Sequence, residues 1–119
     1  MKLPNPEHPI TIARNGKRVR IRFAGQVIAD TTRALTLQEA NYATVQYIPR
    51  DDAAMSLLQC TAHASHCPYK GDASYFTIEA GGRVAENAVW SYQQPYPAMA
   101  EIAGHLAFYA SRVDAIEES

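Results

Sequence analysis

Strict alternation of apolar and polar residues marks the first quarter of the chain and predicts β-strands. In residues 19–23, Val19, Ile21 and Phe23 alternate with arginines, so one strand face is buried and the other is solvated. Residues 10–13 form a second apolar segment, separated from the first by Arg14-Asn15-Gly16-Lys17. Because Asn-Gly accepts the positive φ angles of a tight type I′ turn, the pattern predicts a hairpin between these two strands.

The remaining apolar segments are short and predict a mostly β fold. Strands are expected over residues 26–29, 34–39, 44–48, 74–79 and 84–92, with a last strand ending at Phe108. The only helical signals are one or two turns over residues 50–58 and a short helix near residues 98–103. Residues 64–72 have the composition of a loop, and Gly81-Gly82 marks a turn.

The length of 119 residues is enough for one core and too short for two ordinary domains. We expect a loose arm over residues 1–8, a single β-rich domain over residues 9–114 and a tail over residues 115–119. A hydrophobic fraction of 47% is typical of a globular protein.

Charge and cysteine content exclude several classes of function. A net charge of -1 argues against a nucleic-acid-binding protein, and no apolar run approaches the roughly 20 residues of a membrane span. The first residues lack the apolar stretch of a signal peptide. Cys60 and Cys67 are too few for a disulfide framework, so we expect reduced thiols and a cytoplasmic location.

One segment resembles the signature of a known family. His66-Cys67-Pro68-Tyr69-Lys70-Gly71-Asp72-Ala73-Ser74-Tyr75-Phe76 is similar to the signature of domain-of-unknown-function family 427, and residues 25–30, 47–52, 90–92 and 102–114 resemble its other segments in the right order. The resemblance implies a compact fold similar to the tent-like β domains. Some of those domains bind zinc, but this chain has no Cys-x-x-Cys pair, so we expect no zinc site.

The family has also been called nucleotidyltransferase-like. Nucleotidyl transfer usually needs paired carboxylates for a divalent metal and a glycine-rich phosphate loop. Asp51 and Asp52 are adjacent, and adjacent side chains on a helix point about 100° apart. No Walker loop, Gly-x-Ser-x-Gly elbow or dinucleotide fingerprint is present, so we expect no cofactor.

Cys67 is the candidate nucleophile of the signature segment. Lys70, across a turn that contains Pro68, would favour its thiolate. The alternative is a structural turn in which the cysteine packs inward, because no positioned base is evident. Cys60, His63, His66 and Cys67 are zinc-ligand types, but they do not form two separated pairs, so we expect no metal site.

Aromatic and charged residues indicate a binding site. The resemblance carries over Tyr75, Trp90 and Tyr92 as pocket walls, and also Arg50 and Asp52. The full set of candidate ligand-binding residues is Tyr47, Arg50, Asp52, Lys70, Gly71, Tyr75, Trp90 and Tyr92. Lys70 and Arg50 favour an anionic ligand. A basic face is formed by Arg14, Lys17, Arg18, Arg20 and Arg22, with no interleaved aromatics. It is interpreted as a solvated face that pairs with acids, and the alternative is a face that meets phosphate or an acidic partner.

Three hypotheses follow for the function. The leading one is a domain that binds a small, anionic molecule in an aromatic-lined pocket beside the signature segment. The second is an enzyme in which Cys67 is the nucleophile and either Lys70 or a histidine activates it. The third is a structural or interaction module, and a homodimer is left open. The first requires the segments around Tyr47, Lys70 and Trp90 to converge in space.

Overall fold

Ten strands form three antiparallel sheets in a computed structural model, which describes residues 1–119. The strand order of the first sheet is β1 (Ile10–Arg14), β4 (Leu35–Glu39) and β5 (Val45–Tyr47). The order of the second sheet is β10 (Ala115–Glu118), β2 (Val19–Phe23) and β3 (Gln26–Thr31). The order of the third sheet is β6 (Leu58–Cys67), β7 (Gly71–Ala80), β8 (Arg83–Ser91) and β9 (Ala107–Phe108). The helices are short 3-10 turns at Arg50–Asp52, Met55–Leu57, Pro97–Ile102 and Ala110–Arg112. The prediction of a mostly β single domain is confirmed.

The predicted hairpin between the first two strands is wrong. β1 pairs with β4, and β2 pairs with β3 and β10, because the apolar faces of β1 and β2 belong to different cores. Residues 15–18 cross between sheets: the Asn15 N–H donates to Ala34 at 2.8 Å and the Arg18 N–H to Ser119 at 3.0 Å. The tight turn lies instead at Ala24 and Gly25, whose φ angles of 52° and 75° fit type I′.

Two further segments differ from their sequence-based expectation. Residues 64–67 and 71–72 are paired strand ends of a long β6–β7 hairpin, so the expected loop is reduced to residues 68–70. Residues 115–118, expected as a tail, form β10, in which Ile116 lies opposite Ile21. The arm over residues 1–8 contacts the domain, since the Lys2 N–H donates to the Pro68 carbonyl at 2.7 Å.

Two apolar clusters form the interior, and β7 contributes to both. Phe76 and Ile78 belong to the larger cluster, with Val19, Ile21 and Phe23 of β2. Tyr75 belongs to the smaller cluster, together with Leu37 of β4 and Tyr47 of β5. Because neighbouring strand residues point to opposite faces, β7 places Tyr75 and Phe76 on different sides of the third sheet. The site described below lies on the Tyr75 side.

Two arginines, one in β2 and one just before it, are paired with acids. Arg18 contacts Asp30 and Arg22 contacts Glu117, each at 2.6 Å. These pairs are well exposed, and such pairs contribute little to stability. Two of the five basic residues of the basic face thus have acidic partners within the chain, whereas Arg14, Lys17 and Arg20 form no ion pair. The structure also contains no helix with the length and apolar character that a bilayer crossing requires.

Gly81 is expected to be the least replaceable glycine of the turns. Its φ is +57°, and a Cβ built there would lie 2.9 Å from the Ala24 Cβ and 3.0 Å from the Ala24 carbonyl oxygen. We expect Gly81→Ala to lower the free energy of unfolding by about 2 kcal/mol, measured by urea denaturation. Gly16→Ala is the matched control: Gly16 has open space and no positive φ, so its effect should stay within about 0.5 kcal/mol. Equal effects would contradict this packing.

Candidate functional site

An aromatic cleft of about 230 Å³ lies between the first and third sheets. Nine of its 11 lining residues are hydrophobic, and five of those nine are tyrosines. The lining residues are Leu37, Glu39, Tyr42, Ala43, Val45, Tyr47, Lys70, Tyr75, Trp90, Tyr92 and Tyr109. The two charged residues, Glu39 and Lys70, are the last residue of β4 and the last residue of the β6–β7 turn.

Glu39 and Lys70 form a buried ion pair. Their side chains are 13% and 9% exposed, and Lys70 Nζ donates to Glu39 Oε1. The second carboxylate oxygen lies 2.7 Å from Nε2 of His8, whose ring stacks on Tyr69 at a centroid distance of 4.2 Å. Lys70 Nζ also lies 5.9 Å from the centre of the Tyr92 ring. The pair thus joins the first sheet, the β6–β7 turn and the N-terminal arm at one edge of the cleft.

The pKa of Glu39 lies below its usual value of 4.5. Burial alone would raise this pKa, but the hydrogen bonds from Lys70 and His8, together with their charges, outweigh burial. Glu39 is therefore ionised at neutral pH and balances the ammonium group of Lys70.

Hydroxyl groups provide the free hydrogen-bonding capacity of the cleft. Tyr92 is 6% exposed and lines the cleft, and its hydroxyl makes no hydrogen bond within the protein. The Tyr47 hydroxyl accepts a bond from Trp90 Nε1 at 3.3 Å, which leaves its own proton free. Burial raises the pKa of both phenols, so both stay protonated and act as donors at neutral pH. Burial and the neighbouring Tyr75 also raise the pKa of Tyr109 to about 12.

Five of the sequence-predicted ligand-binding residues lie together in the cleft: Tyr47, Lys70, Tyr75, Trp90 and Tyr92. Gly71 adjoins them but does not line the cleft. Its φ of +109° explains the glycine, because other residues rarely adopt this backbone conformation. The backbone of residues 94–96 packs beside Gly71, where a Cβ would lie at an ordinary contact distance of 3.5 Å from the Tyr96 nitrogen.

Arg50 and Asp52 lie outside the cleft, contrary to the expected convergence. The Arg50 guanidinium lies 5.5 Å from the centre of the Phe76 ring, on the opposite face of β7 from Tyr75. Asp52 accepts hydrogen bonds from Thr31 at 2.7 Å and Arg33 at 3.1 Å. The cause is the chain direction after Ile48, where a bridge to Leu106 and the 3-10 turn carry residues 50–52 toward β3.

Cys67 is half-buried against the smaller apolar cluster, and no hydrogen bond connects it to a base. The adjacent His66 bonds instead to Asp72 at 2.7 Å. Cys60 is exposed on β6. No group of three or more His, Cys, Asp or Glu side chains is arranged to hold a metal ion.

Sequence reasoning missed the acidic partner of Lys70. Glu39 lies 31 residues before Lys70, and no local pattern connects the two. Tyr42, Val45 and Tyr109 were also not assigned to the site. Tyr42 and Tyr109 each follow a predicted strand. An aromatic residue in such a position is a weak signal of a binding site, because such rings often border pockets.

The comparison with protein families identifies the chain. A family described as "Domain of unknown function (DUF427)" matches residues 11–119. The chain belongs to this family. The match covers nearly all of the chain, and it confirms the resemblance drawn from the His66–Phe76 segment. None of the curated proteins compared with the chain matches it.

Removal of one partner of the ion pair should destabilise the fold more than removal of both. Lys70→Met leaves the Glu39 carboxylate buried without its counter-ion, and we expect a loss of about 3 kcal/mol in the free energy of unfolding. The double variant Glu39→Gln/Lys70→Met should lose clearly less than Lys70→Met. The coupling free energy of the pair is measured by urea denaturation of four proteins, namely the unmodified protein, Glu39→Gln, Lys70→Met and the double variant. If the losses of the two single variants simply add in the double variant, a buried pair is contradicted.

The ion pair also predicts that the stability of the fold decreases in acid. Because the folded-state pKa of Glu39 is below 4.5, its contribution is fully present above that pH and is lost as pH falls through the lower, folded-state value. Thermal melts of the protein and of Glu39→Gln should therefore converge as the solution is acidified below pH 4.5. A gap that stays constant would contradict the assignment of this decrease to Glu39.

Exposure predicts which thiol reacts first. We expect iodoacetamide to label exposed Cys60 faster than half-buried Cys67 at neutral pH, as read by peptide mass spectrometry. Full unfolding in urea is the control, since it should bring the two rates together. Faster labelling of native Cys67 would support the hypothesis of an activated nucleophile.

Proposed function

We propose that this protein binds a small molecule in the aromatic cleft and holds an oxygen atom of its ligand, in a carboxylate or carbonyl group, near Tyr92. The observation that carries the proposal is the hydroxyl of Tyr92, a residue 6% exposed, which faces the cleft without a partner in the protein. The oxygen of this hydroxyl remains accessible from the cleft although the Tyr92 side chain is mostly buried, so a ligand that enters the cleft can accept its proton.

The charges of the cleft favour an oxygen acceptor. Lys70 retains donor capacity beyond its bond to Glu39, because an ammonium group has three protons. Its charge is balanced by Glu39, and Arg50 lies elsewhere. The support for an anionic ligand therefore comes from the donors Lys70, Tyr47 and Tyr92 rather than from a net positive charge.

The dimensions of the cleft favour a ligand with a single ring. Its volume of about 230 Å³ is below the range of about 300–1,000 Å³ that is usual for drug-sized ligands. The ring of Trp90 would provide a flat apolar wall for this ligand. A hydrogen bond from its indole N–H to the Tyr47 hydroxyl fixes the orientation of the ring.

Other parts of the sequence-based interpretation stay predictions. These are the tent-like architecture, the cytoplasmic location and the homodimer. No contact in the structure favours the cysteine-dependent enzyme over a binding protein, because Cys67 has no bonded base.

Trp90 is the only tryptophan of the chain, so its fluorescence reports directly on the cleft. We expect benzoate to change this fluorescence in a saturable manner, benzamide to bind more weakly, and benzylamine to bind least. All three share one ring, so the differences isolate the polar group. NMR chemical shifts should change at Leu37, Val45 and Tyr92, which line the cleft.

Tyr92→Phe tests the donor directly. Loss of one hydrogen bond to a charged oxygen should weaken benzoate binding about tenfold. Tyr96→Phe is the matched control, because the Tyr96 hydroxyl lies outside the cleft, 3.5 Å from His66. The proposal is wrong if none of the three compounds perturbs the cleft, or if both variants bind benzoate like the unmodified protein.

A further inference from the structure

A second cleft adjoins the first. Its volume is about 360 Å³, and eight of its 11 lining residues are hydrophobic. The two clefts share Ala43, Val45, Trp90 and Tyr109 as lining residues, so these four side chains border both of them. The rings of Trp90 and Tyr109 pack there at a centroid distance of 4.4 Å and an angle of 42°.

The two clefts differ in chemistry. The first holds the ion pair of Glu39 and Lys70 and the free hydroxyl of Tyr92. The second is lined by apolar residues of β2, β9 and β10, namely Ile21, Phe108 and Ile116. From the first cleft, across the four shared side chains, to the second cleft, a polar end is therefore followed by an aromatic middle and then by an apolar surface.

The lining of the second cleft also includes an acidic group. Gln46 and Glu118 both belong to this lining, and the Asn15 side chain donates to them at 3.0 Å and 2.8 Å. The carboxylate of Glu118 would repel a second negative group on the ligand. The two clefts together thus suit one acidic head and an uncharged tail.

We infer that the natural ligand is an elongated amphipathic monocarboxylic acid whose head lies at Tyr92 and Lys70 and whose apolar tail passes Trp90 and Tyr109 into the second cleft. This inference rests on the proposed function and adds the class of the ligand. The first cleft alone would bind the head group of this acid only. Ile21 and Phe108 are already only 1% and 5% exposed, so the surface that the tail removes from water lies chiefly at Tyr109, Ala110 and Ile116.

A homologous series of 4-alkylbenzoates tests the inference, with benzoate itself as the reference. Each methylene group that enters the second cleft should tighten binding roughly fourfold. The affinities are measured by titration of the Trp90 fluorescence, and chemical shifts at Ile21 and Ile116 should respond only to the longer compounds.

Ala110→Phe narrows the second cleft at an exposed position. It should abolish the gain from the alkyl chain and leave benzoate binding unchanged. Ala100→Phe is the matched control, because Ala100 is also exposed in a 3-10 turn but lines neither cleft. Circular dichroism of both variants verifies that they fold.

The outcomes separate this inference from the proposed function. If benzoate binds but the alkyl chain adds no affinity, or if its gain survives Ala110→Phe, the inference is overturned and the proposed function stands. If neither benzoate nor its alkyl derivatives perturb Trp90 and the cleft, both are overturned.

Discussion

The buried pair of Glu39 and Lys70 is the constraint on which the site depends. Two charges removed from water must be paired closely, because the desolvation of an unpaired ion costs several kcal/mol. Glu39 ends β4 of the first sheet and Lys70 ends the β6–β7 turn of the third. Their pairing fixes the distance between these sheets at one edge, and the aromatic side chains between the sheets then enclose a cleft. His8 completes the arrangement as the second donor to Glu39.

The same pair decides what kind of ligand the cleft suits. Since Glu39 balances Lys70, an entering ligand meets a site with little net charge and an excess of hydrogen-bond donors. The phenols of Tyr47 and Tyr92 remain protonated because burial raises their pKa. An oxygen acceptor on an aromatic or apolar body matches this combination, and the adjoining second cleft extends the apolar part.

The sequence predicted the strands well and their partners poorly. Alternation in residues 19–23 correctly located a strand with one buried face, because that signal is local. Asn15-Gly16 suggested a hairpin, yet the strands on its two sides enter different cores, and the tight turn formed at Ala24-Gly25. The choice between these turns depends on long-range packing, which a local turn preference does not contain. In the site, Trp90 and Tyr47 were found because they lie in segments that resemble the family, whereas Glu39 was missed because its relation to Lys70 exists only in three dimensions.

The most direct test of the proposed site is a crystal structure of the protein with 4-bromobenzoate, in which anomalous scattering locates the bromine atom. We expect the carboxylate to lie within hydrogen-bonding distance of the Tyr92 hydroxyl and the bromine to lie beside Trp90 and Tyr109, directed toward the second cleft. A bromine peak elsewhere on the protein, or a cleft that stays free of the compound at saturating concentration, would contradict the proposed site.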